Sequence, residues 1–379
     1  MKIGEPTVRL LICAGGTGGG VYPALAVLDW LKVESQKTSN LDPETLQLLW
    51  VGGEDGMEAE LIQRYDLPYA EIPAAGVHGV GFRTLPKNII KLIRGIFASR
   101  KILRKFNPDA LFFTGGFVAV PMAIAGWQIP SLLFVPDIEP GLALRFLAWF
   151  AKKITVSAST STVKYPRPTR VIETGYPVRS DLMQWDKASA CETLGLDAEK
   201  PTLLVFGGSK GARSINNALL ANLSAVLEIA QVVHISGKLD WQDVRDAQKS
   251  LKGKQAQNYH AFDYLHEKMG AALASADLVI SRAGASTLGE FPLFGLPALL
   301  VPYPYAWRYQ KVNAEYLSEK GAAILVKDGI LEEKMPVLVN ELFSNPQKLE
   351  RMRSAMKSLA RPDAAENIAV ELLALVRKR

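Results

Sequence analysis

Two glycine-rich stretches of this sequence have the residue types and spacing that suit phosphate binding. One runs from Gly15 to Gly20 and the other from Gly207 to Ala212, and each separates an apolar run from a helical pattern. Glycines let backbone N–H groups approach a phosphate closely, and the positive end of the following helix favours negative charge. Neither stretch fits the dinucleotide fingerprint or the P-loop motif. Tight strand-to-helix packing would explain one such stretch, but two of them favour diphosphate binding.

A third predicted helix start covers residues 281–290. Three small or hydroxylated residues there suit the approach of a phosphate: Ala285, Ser286 and Thr287. Glu290 could accept hydrogen bonds from a ribose diol, although a helix cap followed by a surface glutamate is the simpler alternative. Gln310 and Asn313 lie three residues apart on the next predicted helix. Their neutral amides suit sugar hydroxyls, but amides on helices are often only solvated.

A basic segment runs from Lys87 to Lys105, with seven basic residues and no acidic one. Five of the basic residues recur at helical spacing: Lys87, Lys91, Arg94, Lys101 and Lys105. Aliphatic residues fill much of the remaining surface, which predicts an amphipathic helix. Such a helix can lie on an anionic membrane surface, or its apolar stripe can pack on its own domain. Nucleic acid is a disfavoured partner, because aromatic residues for base stacking do not alternate with the basic ones.

The elements that must position these residues repeat one pattern. Apolar runs rich in Leu and Val end in glycine and lead into helical patterns, which is typical of a doubly wound parallel sheet. The pattern starts afresh at Thr202. We therefore expect two Rossmann-like domains, with parallel sheets facing across a cleft where ligands bind. The predicted divisions are an N-terminal domain over 1–175, a second domain over 176–355 and a C-terminal helix over 356–379 that can pack back on the first.

Composition narrows the class of protein. The chain has 379 residues, of which 48% are apolar, enough to fill two cores. Cys13 and Cys191 are far apart, so neither a disulfide framework nor a zinc site is predicted, and a reducing, cytoplasmic compartment is expected. The 27 uncharged residues over 110–136 are long enough to cross a bilayer. Glycines and prolines divide them, however, into a strand, a turn, a buried helix and another strand.

At these residues the sequence resembles the MurG family of glycosyltransferases over nearly the whole chain. The motifs that carry the resemblance are Gly15-Gly16-Thr17-Gly18-Gly19, Pro23-Ala24-Leu25-Ala26, Thr114-Gly115-Gly116-Phe117-Val118, Pro140-Gly141-Leu142-Ala143, Pro177-Val178-Arg179, Gly207-Gly208-Ser209, Gly211-Ala212-Arg213, Ser281-Arg282-Ala283-Gly284-Ala285, Glu290, Gly295-Leu296-Pro297, Gln310 and Asn313-Ala314. The resemblance implies a GT-B fold and an inverting transfer without a metal ion or other cofactor. N-acetylglucosamine would pass from UDP-N-acetylglucosamine to an undecaprenyl-diphosphate-linked muramyl peptide, at the cytoplasmic face of the membrane.

The resemblance also implies roles for individual residues. The second domain would hold the UDP-sugar, with Arg179 and Ser209 at the diphosphate and Leu265 near the uracil. Further donor contacts would come from Ala285, Ser286 and Thr287 at the diphosphate, Glu290 at the ribose, and Gln310 and Asn313 at the transferred sugar. The first-domain loop from Thr17 through Gly18 to Gly19 would receive the diphosphate of the acceptor.

The chain departs from the family's pattern at several positions. Gly20 stands where histidine is usual, Lys210 where glutamine is usual, and Tyr176 where asparagine is usual. The usual His-Glu-Gln-Asn stretch is replaced by Phe134-Val135-Pro136-Asp137. Attack by a sugar hydroxyl benefits from a base, which glycine cannot supply. We expect Asp137 or His78 to take the proton, and Asp137 is favoured because it follows a predicted strand end.

These departures leave two alternatives to the implied activity. A glycosyltransferase could keep the UDP-sugar site and act on a different lipid acceptor, because most departures fall in the first domain. A UDP-sugar-binding protein could also have lost catalysis, with Gly20 as the sign of that loss.

Overall fold

The computed structural model describes residues 7–15, 18–33, 45–54, 56, 58–76, 81, 83–165, 170–208, 211–305 and 309–376. The chain forms two compact units, the first from Met1–Arg179 with Asp363–Arg379 and the second from Ser180–Pro362. The predicted divisions after residues 175 and 355 fall slightly earlier in the chain than these boundaries.

The first unit is a parallel sheet with helical connections. Its elements in chain order are β1 (Val8–Ala14), α1 (Gly18–Val33), β2 (Leu46–Gly53), α2 (Glu58–Arg64), β3 (Tyr69–Ile72), α3 (Leu85–Phe106), β4 (Ala110–Gly115), α4 (Ala119–Ala125), β5 (Ser131–Val135), α5 (Leu142–Leu147), β6 (Lys153–Val156) and β7 (Val171–Glu173). The strand order is β3-β2-β1-β4-β5-β6-β7. Strands β1, β4 and β5 are almost wholly buried, as expected for apolar strands covered on both faces.

The second unit repeats this plan. Its elements in chain order are α6 (Lys187–Leu194), β8 (Thr202–Phe206), α7 (Arg213–Ala221), α8 (Leu223–Leu227), β9 (Gln231–Ile235), α9 (Trp241–Ser250), α10 (Gly253–Asn258), β10 (Tyr259–Phe262), α11 (Met269–Ser275), β11 (Leu278–Ser281), α12 (Glu290–Phe294), β12 (Ala298–Leu300), α13 (Tyr309–Glu319), β13 (Ala323–Leu325), α14 (Leu331–Phe343) and α15 (Pro346–Ser358). The strand order is β10-β9-β8-β11-β12-β13. The last helix, α16 (Ala364–Val376), returns to the first unit and packs on α1 and β5.

The uncharged stretch over 110–136 forms β4, α4 and β5, so the prediction of buried strands around a short helix is confirmed. Within the part of the chain that the structure describes, no helix is both long and apolar enough to span a membrane. The stretch is apolar because its strands lie in the middle of a covered sheet, with Phe112, Phe113 and Phe134 fully buried.

Each sheet reverses its strand order at one place, between β1 and β4 in the first unit and between β8 and β11 in the second. Beside such a switch point the connections leave the sheet in opposite directions, which opens a crevice at the carboxyl ends of the two strands. The glycine-rich stretches follow β1 and β8. The segments that begin at Gly116 and Arg282 follow β4 and β11. The fold therefore brings the predicted phosphate loops to both crevices.

Candidate functional site

The first glycine-rich loop rests on a buried carboxylate. The side chain of Glu58 is almost completely buried, and its Oε1 accepts a hydrogen bond of 2.9 Å from the backbone N–H of Gly53. A Cβ atom on Gly15 or on Gly56 would overlap this carboxylate. Burial, and then the charge of Glu58, raises the pKa of the Cys13 thiol, so this cysteine stays protonated. The sequence analysis did not single out Glu58, although its position among three glycines was a visible signal.

The end of β4 holds the same loop from the other side. The hydroxyl of Thr114 donates a hydrogen bond to the carbonyl of Gly20 in the first turn of α1. Gly116 has a φ of 84°, and a Cβ there would lie 2.5 Å from the carbonyl oxygen of Gly15. Glycine at position 116 is therefore required by close backbone contact. Thr17 and His78 lie outside the described residues, whereas Gly18 and Gly19 begin α1.

Gly20 differs from these neighbours because its site has room for a side chain. A Cβ there would lie 3.6 Å from the carbonyl oxygen of Thr114 and 3.8 Å from that of Gly15, which are ordinary van der Waals distances. Its backbone is helical and needs no positive φ. Steric contact between described residues therefore does not explain why the chain has glycine at this position.

Asp137 follows the carboxyl end of β5 and is half-buried. The loop around it is fixed by hydroxyl groups, since Ser157 donates to the carbonyl of Pro136 and Ser161 to that of Ile138, at 2.7 and 3.0 Å. Arg145, in α5, bonds the Glu139 carboxylate of this loop at 3.1 Å. Asp137 thus lies on a hydrogen-bonded loop at the carboxyl edge of the first sheet.

Arg179 ends the first unit and lies against two tyrosines of that unit. Its guanidinium carbon is 4.6 Å from the centre of the Tyr22 ring, and its Nη1 donates a long hydrogen bond of 3.5 Å to the hydroxyl of Tyr65. Tyr22 belongs to the second turn of α1, just beyond the glycine loop. The structure therefore places a positive charge close to the start of α1.

The second glycine-rich loop is shaped by positive backbone angles. Gly208 and Gly211 have φ values of 89° and 75°, and the Gly211 N–H donates to the Gly208 carbonyl at 2.9 Å. A Cβ on Gly211 would overlap the carbonyl oxygen of Ser236 at the end of β9. The loop consequently turns sharply and rests on the neighbouring strand. Ser209 and Lys210 lie outside the described residues.

Arg282 supports the second crevice from within. Its guanidinium pairs with the carboxylate of Asp328, donates to the hydroxyl of Ser214 at 2.8 Å and to the carbonyl of Val301 at 3.0 Å, and lies 5.3 Å from the centre of the Tyr303 ring. Only a tenth of its side chain is exposed. Four segments of the second unit are joined by this one side chain, so it acts as a scaffold for the residues that follow it.

The segment after Arg282 is not one continuous helix as predicted. A 3-10 helix over Ala285–Leu288 ends at Gly289, and α12 begins at Glu290. Gly289, with φ −121° and ψ −51°, departs from helical geometry and separates the two helices. The Thr287 hydroxyl donates to the carbonyl of Gly284 at 2.7 Å just before this break. Ser286 and Glu290 are half-buried, and Ala285 is buried.

The two amides on α13 are both engaged rather than simply solvated. Gln310 accepts a hydrogen bond of 2.8 Å from the backbone N–H of Tyr303 through its Oε1. Asn313 is fully buried and donates to the carbonyl of Ala283 at 3.2 Å. Leu265 is buried in the loop after β10. The predicted donor residues of the second unit that the structure describes thus belong to the segments after β10 and β11, including the start of α12, and to α13. Arg179 is the exception, because it belongs to the first unit.

Comparison with known proteins agrees with this geometry. The family models for the glycosyltransferase family 28 N-terminal and C-terminal domains match residues 10–156 and 202–368. The chain belongs to glycosyltransferase family 28. Two relatives, from Roseiflexus sp. (strain RS-1) and Desulforamulus reducens, are 37% and 35% identical, covering 99% and 95% of this chain and 97% of each relative. Both are named UDP-N-acetylglucosamine--N-acetylmuramyl-(pentapeptide) pyrophosphoryl-undecaprenol N-acetylglucosamine transferase.

Solved structures show the same fold. MurG of Acinetobacter baumannii superimposes with a TM-score of 0.71 at 23% identity, covering 97% of this chain and 99% of that one. UDP-GlcNAc 2-epimerase from Neisseria meningitidis bound to UDP-GlcNAc gives a TM-score of 0.65 at 14% identity, covering 97% of this chain and 100% of that one. The MurG resemblance and the GT-B fold class are confirmed, and this family 28 chain is a hexosyltransferase.

Two of the departures from the family pattern pack against each other. Phe134 and Tyr176 are both buried, with ring centres 6.0 Å apart in an edge-to-face arrangement. They stand where the MurG pattern has a histidine and an asparagine. In this family 28 member an aromatic pair therefore occupies positions that are polar in the usual pattern, and the two replacements form one packing unit.

The basic segment forms α3, which presents two different faces. Gly95, Ser99 and Leu103 are buried against the first unit. Four large apolar side chains instead lie on the exposed side, between 43% and 63% exposed: Ile89, Ile90, Ile93 and Phe97. The basic residues are distributed around them, with Lys87, Arg94, Lys101 and Lys105 exposed and Lys91 half-buried at 3.8 Å from Glu54.

Proposed function

We propose that this chain transfers N-acetylglucosamine from UDP-N-acetylglucosamine to N-acetylmuramyl-(pentapeptide) pyrophosphoryl-undecaprenol in peptidoglycan synthesis. The observation that carries the proposal is the pair of glycine-rich loops, one at the switch point of each parallel sheet. A transfer between two diphosphate-linked substrates needs two sites for diphosphates, and this chain has a loop suited to each. The names of relatives that match nearly the full chain support the same substrates.

On this proposal the second unit binds the donor. Ser209 contacts the diphosphate, as do Ala285, Ser286 and Thr287 after β11. Arg179, which ends the first unit, keeps the diphosphate role that the resemblance implies. Glu290 accepts hydrogen bonds from the ribose, and Leu265 lies near the uracil. Gln310 reaches the sugar with its amide nitrogen, because its Oε1 is occupied by the N–H of Tyr303. Asn313, which is fully buried, positions the Ala283 segment beneath the sugar.

The first unit binds the acceptor. Its diphosphate rests on the loop from Thr17 through Gly18 to Gly19, whose backbone N–H groups and helix start favour negative charge. The acceptor hydroxyl attacks the anomeric carbon as the bond from that carbon to the UDP oxygen breaks, which inverts the configuration. A base takes the hydroxyl proton, and we assign this step to Asp137, with His78 as the alternative.

The experiment that tests the reaction measures UDP release with the lipid-linked acceptor. Asp137→Asn keeps the size of the side chain and removes its basicity, so turnover should fall by about two orders of magnitude or more. Asp109→Asn is the matched control, because Asp109 binds the N–H of Arg9 at the opposite edge of the sheet. Unchanged turnover in Asp137→Asn would contradict the assignment of the base.

Gly20→His tests the departure at the first loop. A Cβ atom at this position would come no closer than 3.6 Å to the described residues, and a histidine there restores the usual family residue. We expect turnover at least equal to that of the wild type. If the wild type binds UDP-N-acetylglucosamine but releases no UDP, and Gly20→His does, the chain is a binding protein that lost catalysis.

We further propose that the chain attaches peripherally to the cytoplasmic face of the membrane through α3. The exposed isoleucines and Phe97 suit the acyl boundary, while Arg94 and Lys101 suit anionic headgroups. Arg94→Glu with Lys101→Glu should weaken binding to anionic vesicles at least about tenfold, since each basic residue contributes about 1 kcal/mol. Lys249→Glu with Lys268→Glu, which reverses two exposed charges of the second unit, is the control. Equal binding by both double variants would reject this surface.

A further inference from the structure

A chain of buried polar side chains runs beneath the second glycine-rich loop. We call it the His234 network, and its members are Tyr259, His234, Asn216, Asp240 and Arg213. The Tyr259 hydroxyl lies 2.7 Å from His234 Nδ1, and His234 Nε2 lies 3.0 Å from Asn216 Oδ1. Asn216 Nδ2 lies 2.8 Å from Asp240 Oδ2, and Asp240 Oδ1 lies 2.9 Å from Arg213 Nε. Four of the five side chains are buried, and that of Arg213 is 74% exposed.

The hydrogen-bond partners fix the direction of every proton in the network. Asn216 Nδ2 faces two acceptors, the Asp240 carboxylate and the Ser236 carbonyl at 2.9 Å, so it must donate to both. Its Oδ1 therefore accepts from His234 Nε2–H, which leaves Nδ1 to accept from the Tyr259 hydroxyl. Burial lowers the pKa of His234 to about 3, against the opposing charge of Asp240, so the ring is neutral as this pattern requires.

The network meets the glycine loop at two points. Gly211 packs directly on the carbonyl of Ser236, the same oxygen that accepts from Asn216. Arg213 and Asn216 lie in the first turn of α7, which starts where the loop ends. Asn216 thus links the start of α7 to the segment that follows β9. This link holds the first turn of α7, and with it the backbone N–H groups at the helix start, in one orientation.

We propose that Asn216 and His234 are positioning residues for the diphosphate of the UDP-sugar, acting through the 207–212 loop and the start of α7. The inference rests on the proposed function, which assigns the donor to this loop. Neither side chain touches the ligand. Asn216 holds the loop against Ser236, and His234 holds the amide of Asn216 in the one orientation that permits this.

The test is the dissociation constant of uridine diphosphate, measured by titration calorimetry on the full chain. Asn216→Ala should raise it at least about tenfold, because the N–H groups of the loop lose their alignment. Tyr259→Phe removes only the terminal hydroxyl of the His234 network and should raise the dissociation constant less, by about two- to threefold. This second variant keeps the ring in the core and remains informative if Asn216→Ala folds poorly.

Gln231→Ala supplies the matched control on the same strand. Gln231 is also fully buried and also joins several segments, with Nε2 2.9 Å from Thr202 Oγ1 and 2.7 Å from the Asp197 carbonyl. It lies at the opposite end of β9 from the loop, so its loss should lower stability and leave uridine diphosphate binding within about twofold of wild type.

The outcomes separate this inference from the function on which it rests. A tenfold effect in Asn216→Ala with near-normal binding in Gln231→Ala supports the positioning role. Equal losses in both variants would show a purely structural role and overturn it, as would unchanged binding in Asn216→Ala. A wild-type chain that binds no uridine diphosphate would overturn the donor assignment itself.

Discussion

The two switch points share one topology but contain different kinds of side chain. Beneath the second loop lie polar networks around His234 and Arg282 that join several segments of the second unit. Among the described residues, the first loop is held by the Glu58 carboxylate and the Thr114 hydroxyl, and the adjacent β5 ends in an aromatic pair, Phe134 with Tyr176. The same topology therefore places a glycine-rich loop at each switch point, and the supporting side chains determine which polar groups lie beneath it.

Among the changes considered for the two loops, removal of the Arg282 guanidinium should have the largest effect on stability. Arg282→Met leaves the largely buried Asp328 carboxylate without its ion pair, which should lower the free energy of unfolding by about 3–5 kcal/mol. Lys348→Met breaks an exposed ion pair with Glu341 in the same unit and should cost only about 0–1 kcal/mol. Urea denaturation measures both, and equal costs would contradict a scaffold role for Arg282.

Alanine at Gly116 or Gly211 tests whether both loops depend on close backbone contact. Each glycine has a positive φ and packs on a carbonyl, of Gly15 and Ser236 respectively. We expect each substitution to cost about 2–4 kcal/mol, from overpacking together with backbone strain. Gly284→Ala is the control, since a Cβ there meets no atom of the described residues within 4 Å. Thermal melting of the three variants would show whether Gly116→Ala and Gly211→Ala lower the Tm more than Gly284→Ala does.

The neutral His234 makes the stability of the second unit depend on pH. The folded ring stays unprotonated down to about pH 3, whereas the unfolded chain binds a proton below the ordinary pKa of 6.5. Stability should therefore fall as the pH drops below 6.5, by at most about 1.4 kcal/mol per pH unit from this residue. Asp240 and Tyr259 face the ring and are retained in His234→Gln, which should show a shallower decline between pH 6 and 4. Parallel curves for the two proteins would contradict the prediction.

Gly20→Ala should have the smallest effect on stability, and unlike the other substitutions it should stabilise the protein. The site is helical and open, so alanine should stabilise the first unit by about 0.5–1 kcal/mol through its better helix propensity. Thermal melting would detect this as a small rise in Tm. A fall instead would show that the open volume next to Thr114 is filled in the folded protein.

Much of the candidate site could be predicted from sequence because it depends on local pattern. Apolar runs that end in glycine predicted the strands, and their order of repetition predicted two parallel sheets. The glycine loops and the 285–287 segment were predicted at strand ends, where the structure has them. The break at Gly289 was missed, since the sequence pattern there suited one continuous helix. The amide of Asn313 was expected to face a sugar, but its burial depends on the distant Ala283 segment.

The sequence by itself determined the fold class, the family and the positions of the two glycine-rich loops, because strand period, glycine spacing and motif order are properties of neighbouring residues. Only the tertiary structure decided what supports those loops. Glu58 meets Gly15, and Phe134 meets Tyr176, through packing between segments far apart in the chain. The roles of Arg282 and Asn216 were likewise set by partners in other segments, Ser214 and Ser236. Hydrogen bonds and burial between distant segments follow from the assembled sheet, which no local pattern encodes.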